Sequence, residues 1–415
     1  MRTLTTASLL SRLRVALKAA AGLLLCAALG SALAAKPYSY YVTGNPAPDP
    51  VSLSPASSPS YVLMGGGPDV DQAFRWMVTR AGVKPGTGGR FVIIRATGTD
   101  AYDPYIYYSD DALSTSTTIQ DGWVGGASMG LSSVETLVIP SVAAANDPFV
   151  NRVVARANAL FIAGGDQSDY IRFWKNTQLD WTLQRLMAAK VPIGGTSAGL
   201  AVLGQFDFAA LRGSVTSAQA LSDPFSKYMT IDPSPLTLSP TAPGNPGGGF
   251  ITPHPLFNAV LDAHLDARDR MGRLVAFVAR LIAPDGSAGC PGGILAAGPT
   301  PTGSSYGDSF ARGIGVDVET ALLVQGDGDS TDVVATRVTN PSTTTLSAAY
   351  FLWPQQEPTR CAAGTPLSMP SVQVTRVDQD NPTFNLSRWW GRNRPYTLNV
   401  SNGTLSASGN GGSIY

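Results

Sequence analysis

The stretch VPIGGTSAGLAVLG, residues 191–204, runs from a short apolar segment through Gly194-Gly195-Thr196-Ser197-Ala198-Gly199 into a helix-like apolar run. Glycine lets a backbone take positive φ and pass close to other groups. A serine held between a strand end and a helix start is lifted out of the fold, with free backbone N–H groups beside it. That is the outline of a nucleophile elbow. The same residues also fit a plainer turn in which Ser197 only caps the helix. G-x-S-x-G is too short to separate the two readings, so the rest of the chain has to decide.

Upstream, apolar runs at 61–64, 91–94, 134–139 and 159–163 each end near glycine or a polar turn. Helix-like segments at 69–80, 147–157 and 179–189 lie between them, and 192–193 supplies the next strand. This alternation predicts an α/β fold, a mostly parallel sheet with helices on both faces. In such sheets, sites form outside the carboxyl ends of the strands. Gly65-Gly66-Gly67, Gly164-Gly165 and Gly194-Gly195 all fall there and are expected to line one cleft. Downstream, 213–250 reads as loops and 258–283 returns to a helical pattern. From about 285 the chain is rich in Gly, Ser and Thr, with strand-like runs at 321–324, 348–352, 372–377 and 396–400, a β-rich C-terminal extension. The expected division is a targeting segment at 1–34, a Pro/Ser-rich arm at 35–60, an α/β domain at 61–325 and a β-rich region at 326–415.

Of the 415 residues, 44% are hydrophobic and 14% charged, enough to bury a core and too few charges for disorder. The net charge is zero, and neither this value nor the charge distribution points to nucleic acid. The first 34 residues carry Arg2, Arg12, Arg14 and Lys18, then an apolar run and Ala32-Leu33-Ala34. They read as a cleaved secretory signal, with an uncleaved N-terminal anchor as the alternative. Removing those four from the 29 basic residues leaves a net charge of −4 against 29 acidic ones. A secreted or periplasmic chain with no stable membrane span after signal removal is expected. Two cysteines then remain, Cys290 and Cys361. In an oxidising compartment they fit a disulfide, and two separate thiols are the alternative. No Cys/His cluster has zinc spacing, so no metal site is expected.

A serine hydroxyl is a weak nucleophile and needs a base. The chain has only two histidines, His254 between two prolines and His264 in the dense polar block DAHLDARDRMGR at 262–273. His264 is the better partner for Ser197. With it in view, six stretches resemble the cyanophycinase family, serine hydrolases of the S51 peptidase type related in fold to class I glutamine amidotransferases. They are YVLMGGGPDVDQAFRWM (61–77), FVIIRATGTDAYDPYI (91–106), ALFIAGGDQSDYIRFW (159–174), GGTSAGLAVLG (194–204), DAHLDARDRMGRL (262–274) and GIGVDVETALLV (313–324).

The resemblance implies Ser197 as nucleophile, His264 as base, and the N–H groups of Gly165 and Ala198 as oxyanion hole. It places Gln167, Asp262, Arg268, Arg270 and Arg273 at substrate-pocket positions. Arginine forks suit a carboxylate and Asp262 suits a guanidinium. A β-linked Asp-Arg unit, as in cyanophycin (multi-L-arginyl-poly-L-aspartate), carries both. The plainer reading of the arginines is a solvated helix face paired with Asp266 and Asp269. The family also implies no cofactor, a peptide or cyanophycin-like polymer as substrate, and a tendency to homodimers. Two departures stand out. Asp262-Ala263-His264 replaces the family's usual Asp-Gln-His. The triad acid, usually a Glu between nucleophile and histidine, has no counterpart, since 198–263 contains no Glu. Gln219 stands about where that acid is expected, and Asp207 and Asp223 are alternatives. Besides cyanophycin hydrolysis, the readings left open are an S51-type peptidase for other Asp-containing peptides and a catalytically impaired pseudoenzyme that binds ligand.

Overall fold

The computed structural model describes residues 35–109, 123–234, 249–283, 295–298, 310–326 and 332–415. The chain divides into Met1–Pro37 and Tyr38–Tyr415, and the second unit carries all that follows. Its first strands are β1 (Ser39–Gly44), β2 (Ser60–Met64), β3 (Arg90–Arg95), β4 (Ser133–Val138), β5 (Ala159–Ile162) and β6 (Ile193–Thr196). Five of them run parallel in the order β4-β3-β5-β6-β2. Their residues are buried almost without a break, the pattern of strands covered on both faces.

The expected helices appear as Asp71–Arg80, Pro148–Val154 and Gln178–Ala188. Asp147 starts the second by accepting the Phe149 N–H at 2.7 Å, with Pro148 in the first turn. A further helix, Gln167–Trp174, begins at Asp166, which accepts the Ser168 N–H at 2.9 Å.

The later strands are β7 (Asp207–Phe208), β8 (Ile231–Asp232), β9 (Ala259–Ala263), β10 (Arg312–Val316), β11 (Thr320–Gly326) and β12 (Val333–Thr339). They continue with β13 (Ala349–Pro354), β14 (Met369–Val377), β15 (Thr383–Asn385), β16 (Trp390–Gly391), β17 (Tyr396–Ser401) and β18 (Thr404–Ser408). The first sheet has ten strands in the order β1-β4-β3-β5-β6-β2-β11-β12-β15-β16. It is therefore less parallel than expected, because β1, β11, β12, β15 and β16 all pair antiparallel. Parallel neighbours need a long crossover, and the short link from β11 to β12 allows only an antiparallel return. The second sheet runs β18-β17-β14-β13-β10-β9, parallel only between β9 and β10. The C-terminal strands thus extend both sheets.

Three local expectations change. Within the Pro/Ser-rich arm, Ser39–Gly44 is an edge strand on β4, where Tyr40 donates to Glu135 at 2.7 Å. Residues 258–263 are not the start of a helix. The run Ala259-Val260-Leu261 is buried in β9, and the helix begins at Met271. Short apolar runs look alike in either state. Within the stretch read as loops, Ser217–Ser222 is a helix with a reciprocal cap between Thr216 and Gln219. Residues 235–248 lie outside the described residues. Cys361 is buried, and its expected partner Cys290 also lies outside the described residues. Among the described residues, no helix is long and apolar enough to cross a membrane.

The two sheets meet where β2 and β9 end. The His264 N–H donates to the Gly65 carbonyl at 2.8 Å, and the Leu265 N–H donates to Val316 at 3.2 Å. Asp317, fully buried, accepts the N–H groups of Asp266 at 3.1 Å and Ala348 at 3.0 Å. Burial, reinforced by the neighbouring Asp266 carboxylate, pushes the Asp317 carboxyl up to about 7. The native state thus holds a proton that the unfolded chain releases near pH 4. The resulting stability is complete below that value and is lost as pH rises through about 7. We expect chemical denaturation to show that the stability of native protein relative to Asp317→Asn declines from pH 5 to 8, the variant cancelling contributions of other groups such as His264. Identical slopes would contradict the assignment.

Candidate active site

The elbow forms because β6 runs into helix Ala198–Ala201 through one strained residue, Ser197, at φ 53° and ψ −112°. A non-glycine residue there costs about 1–3 kcal/mol and persists only where its surroundings hold it. Here the Ser197 N–H donates to the Met64 carbonyl at 3.1 Å. The turn also needs close backbone approach. A Cβ on Gly195 would overlap the Gly199 main chain and lie 2.9 Å from the Leu200 nitrogen.

Ser197 Oγ lies 2.7 Å from His264 Nε2. His264 follows β9, also at positive φ, 50°, and is only 9% exposed. Its pKa is lowered to about 4, first by burial, then by Arg268 and Arg270; Asp262 opposes this and Arg273 adds to it. The imidazole is thus neutral near pH 7 and can accept the serine proton. The other histidine, His254, sits on the short turn His254–Leu256 against Phe257.

No described group accepts a hydrogen bond from the second ring nitrogen, Nδ1. The Gln219 expectation is corrected here. Its Oε1 accepts the Thr216 N–H at 3.0 Å within the helix cap, and the residue is exposed. Its resemblance to a triad position was one of sequence spacing, and local helix formation claims the amide. Asp223 accepts the N–H groups of Phe225 and Gly364, both at 3.0 Å. Asp207 is sealed in β7 opposite Asp232, and burial drives its carboxyl well above the usual range.

Beside the serine opens a cavity of about 220 Å³, lined by Gly165, Gln167, Ala198, Asp262, Arg268, Arg270 and Arg273 among others. It is smaller than the roughly 300–1,000 Å³ of drug-sized ligand sites, which suits one residue of a substrate. The N–H groups of Gly165 and Ala198 donate to no group among the described residues. Gln167 commits its amide nitrogen to the Phe208 carbonyl at 3.2 Å.

The arginines differ sharply. Arg273 grips Asp262 through two hydrogen bonds, Nε to Oδ2 at 2.7 Å and Nη2 to Oδ1 at 2.6 Å, with both side chains buried. Its remaining nitrogen donates to Val215 and Ser214, and its plane rests 5.1 Å from the Phe208 ring centroid. Asp262 Oδ1 also takes the Ala263 N–H at 2.9 Å. Asp262 is therefore occupied, contrary to the expectation that it receives a substrate guanidinium. Arg270 donates to the Ala263 carbonyl at 2.8 Å and stands 3.6 Å from Asp262. Arg268 is exposed at the cavity; its N–H donates to the His264 carbonyl at 3.2 Å, but its guanidinium makes no hydrogen bond or ion pair among the described residues. Asp266 and Asp269, which the plainer reading would pair with the arginines, form no ion pair with them. Among the described residues no group of three His, Cys, Asp or Glu could hold a metal ion.

Comparison with known proteins bears on part of this site. Residues 127–213 match the model of Peptidase family S51, a span that holds Gly165, Gln167, Ser197 and Ala198 and ends before His264 and the arginines. Among solved structures, the chain is similar to a peptidase from an acI-B1 Actinobacterium, with 13% identity and a TM-score of 0.41, covering 79% of this chain and 97% of that one. It is also similar to a protein provisionally described as peptidase E from Listeria monocytogenes EGD-e, with 12% identity and a TM-score of 0.33, covering 68% and 100%. No curated protein matches.

The sequence reading missed the main chain of Met64 and Gly65 as part of the site. The triple glycine is expected at the cleft, but no local pattern reports which main-chain groups will meet residues so distant in sequence. Two outcomes separate the arginines. Removing Arg273 strips the buried Asp262 charge of its two-bond partner and leaves only Arg270, at 3.6 Å, so Arg273→Ala is expected to destabilise by about 3 kcal/mol. Arg268→Ala should leave the melting temperature within about 1 °C, because a solvated side chain far from core packing contributes little. Equal losses in calorimetry would refute this division.

Proposed function

We propose that this chain is a serine peptidase working through Ser197 and His264, with a carboxylate-bearing substrate residue seated in the basic cavity. The observation carrying this reading is the 2.7 Å approach of Ser197 Oγ to His264 Nε2 on a strained elbow. Nε2 takes the hydroxyl proton as Oγ bonds to the amide carbon. The N–H groups of Gly165 and Ala198 receive the developing oxyanion; one such donor is worth about 3 kcal/mol elsewhere. The imidazolium then protonates the leaving amine, and water repeats the sequence to release the acid.

Among the described residues lining the cavity, Arg268 is the guanidinium free to meet the substrate carboxylate, with Arg270 adding positive charge behind it. Within this class, we favour cyanophycin-type polymers, on the strength of the sequence resemblance. With Asp262 held by Arg273, the substrate guanidinium would turn to Asp166, which lines the cavity and is exposed. Other peptides with an acidic residue at the scissile bond are the neighbouring choice. The basic and apolar start of the chain supports export, so we place the enzyme outside the cytoplasm. One observation favours a binding module instead: among the described residues no acid meets Nδ1 to stabilise the imidazolium, a loss worth about 10⁴-fold in a triad.

A serine-directed fluorophosphonate probe decides between enzyme and binding module. Native protein should be labelled at Ser197 and release β-Asp-Arg from cyanophycin, and Ser197→Ala should do neither. Labelling without release would retain the peptidase and discard cyanophycin. The pH profile is a second check. Protonation of His264 removes the base, and its pKa of about 4 moves the acid limb of kcat/KM down from the usual 6.5. Activity halved near pH 6.5 would contradict the burial of the imidazole.

A further inference from the structure

Three consecutive residues at the end of β2 touch both members of the dyad. The Met64 carbonyl accepts the Ser197 N–H at 3.1 Å, and the Gly65 carbonyl accepts the His264 N–H at 2.8 Å. Gly66, at φ +94°, lies against the imidazole itself. A Cβ there would sit 2.5 Å from Nε2, overlap Cε1 and lie 3.1 Å from Nδ1. Real Cβ atoms do not approach so closely, so only glycine fits beneath this ring. Gly66 is held in turn, since its carbonyl accepts the Glu319 N–H at 2.8 Å, and Gly65 donates to Thr320 at 2.9 Å.

We infer that Gly66 is a positioning residue for His264: its bare Cα is the surface against which the imidazole rests, so packing holds the ring in line with Ser197 where, among the described residues, no acid orients it from Nδ1. This rests on the dyad reading above. In an acid-assisted triad, the third residue fixes both ring orientation and imidazolium charge. Here main-chain packing supplies the first of these tasks alone. A methyl group at 66 would drive the ring off its contact with Ser197. Displacing a reacting group by about 1 Å can cost on the order of 100-fold in rate.

The neighbouring glycine provides the control. Gly67 has a similar φ, +87°, but a Cβ there would meet Val318 at 3.2 Å and the Glu319 nitrogen at 3.4 Å, and no atom of His264 is among its nearest neighbours. Both alanine variants carry the strain of a side chain at positive φ. We expect Gly66→Ala to lower kcat, or the rate of fluorophosphonate labelling, by about 100-fold or more with KM changed little. Gly67→Ala should stay within a few-fold of native. Native-like labelling of Gly66→Ala, or an equal fall in both variants, would overturn the inference.

A stability cycle tests the same contact without activity. Gly66→Ala is compared in the native and His264→Ala backgrounds by chemical denaturation, with refolding as a readout where the single variant fails to fold. If the imidazole is what the methyl strikes, His264→Ala relieves much of the defect. If the defect is unchanged, the ring does not rest on Gly66 and the inference fails. Native protein that ignores the probe would refute the peptidase reading, while the cycle would still report on the contact.

Discussion

The hydrogen bond from the His264 N–H to the Gly65 carbonyl is the constraint on which the site depends. It closes the gap between the end of β2 in one sheet and the end of β9 in the other. Buried main-chain groups must find partners, and here the partner of one sheet's last residues is the other sheet. Because Ser197 hangs from Met64, one residue earlier, Ser197 and His264 share a single backbone template. The distance between them follows from strand register rather than from flexible side-chain reach.

Charge is arranged around this template in two layers. Asp262 and Arg273 satisfy one another below the cavity, where an isolated charge would be costly to bury. Their pairing leaves Arg268 and Arg270 to set the sign of the cavity. After burial, the same positive field further disfavours a protonated imidazole, so the groups proposed to attract a carboxylate also help keep His264 neutral. Proposed recognition and the protonation of His264 are thus linked through the same guanidinium groups.

Much of this was legible in the sequence, and the reasons are specific. The elbow leaves a local imprint, since the strand, the glycines and the serine are contiguous. The parallel core is legible because its strands are short apolar runs separated by amphipathic helices. His264 was reachable because only two histidines exist and one lies in a polar block that the family resemblance also matched. Gln219 failed as the third member because spacing along a chain says nothing about which way a capped helix directs its amide. β9 was read as helix because a run such as Ala259-Val260-Leu261 has no period long enough to distinguish the two states. The pairing of Asp262 with Arg273 was invisible because both residue types fit substrate binding and internal pairing equally well.

The placement of β2 also bears on how the protein comes to be assembled. It is among the first strands of the chain, yet it lies between β6 and β11, and Ser58 beside it bonds to Gly326, 268 residues away. Non-local closures of this kind are slow, and synthesis delivers the N-terminal partner long before the C-terminal one. Until β10 and β11 arrive, the glycine run lacks the carbonyl and N–H groups of the 319–320 turn that fix it. The nascent chain therefore carries Ser197 well before it can hold that serine in line with His264, and the alignment on which the proposed activity rests is one of the last events of folding.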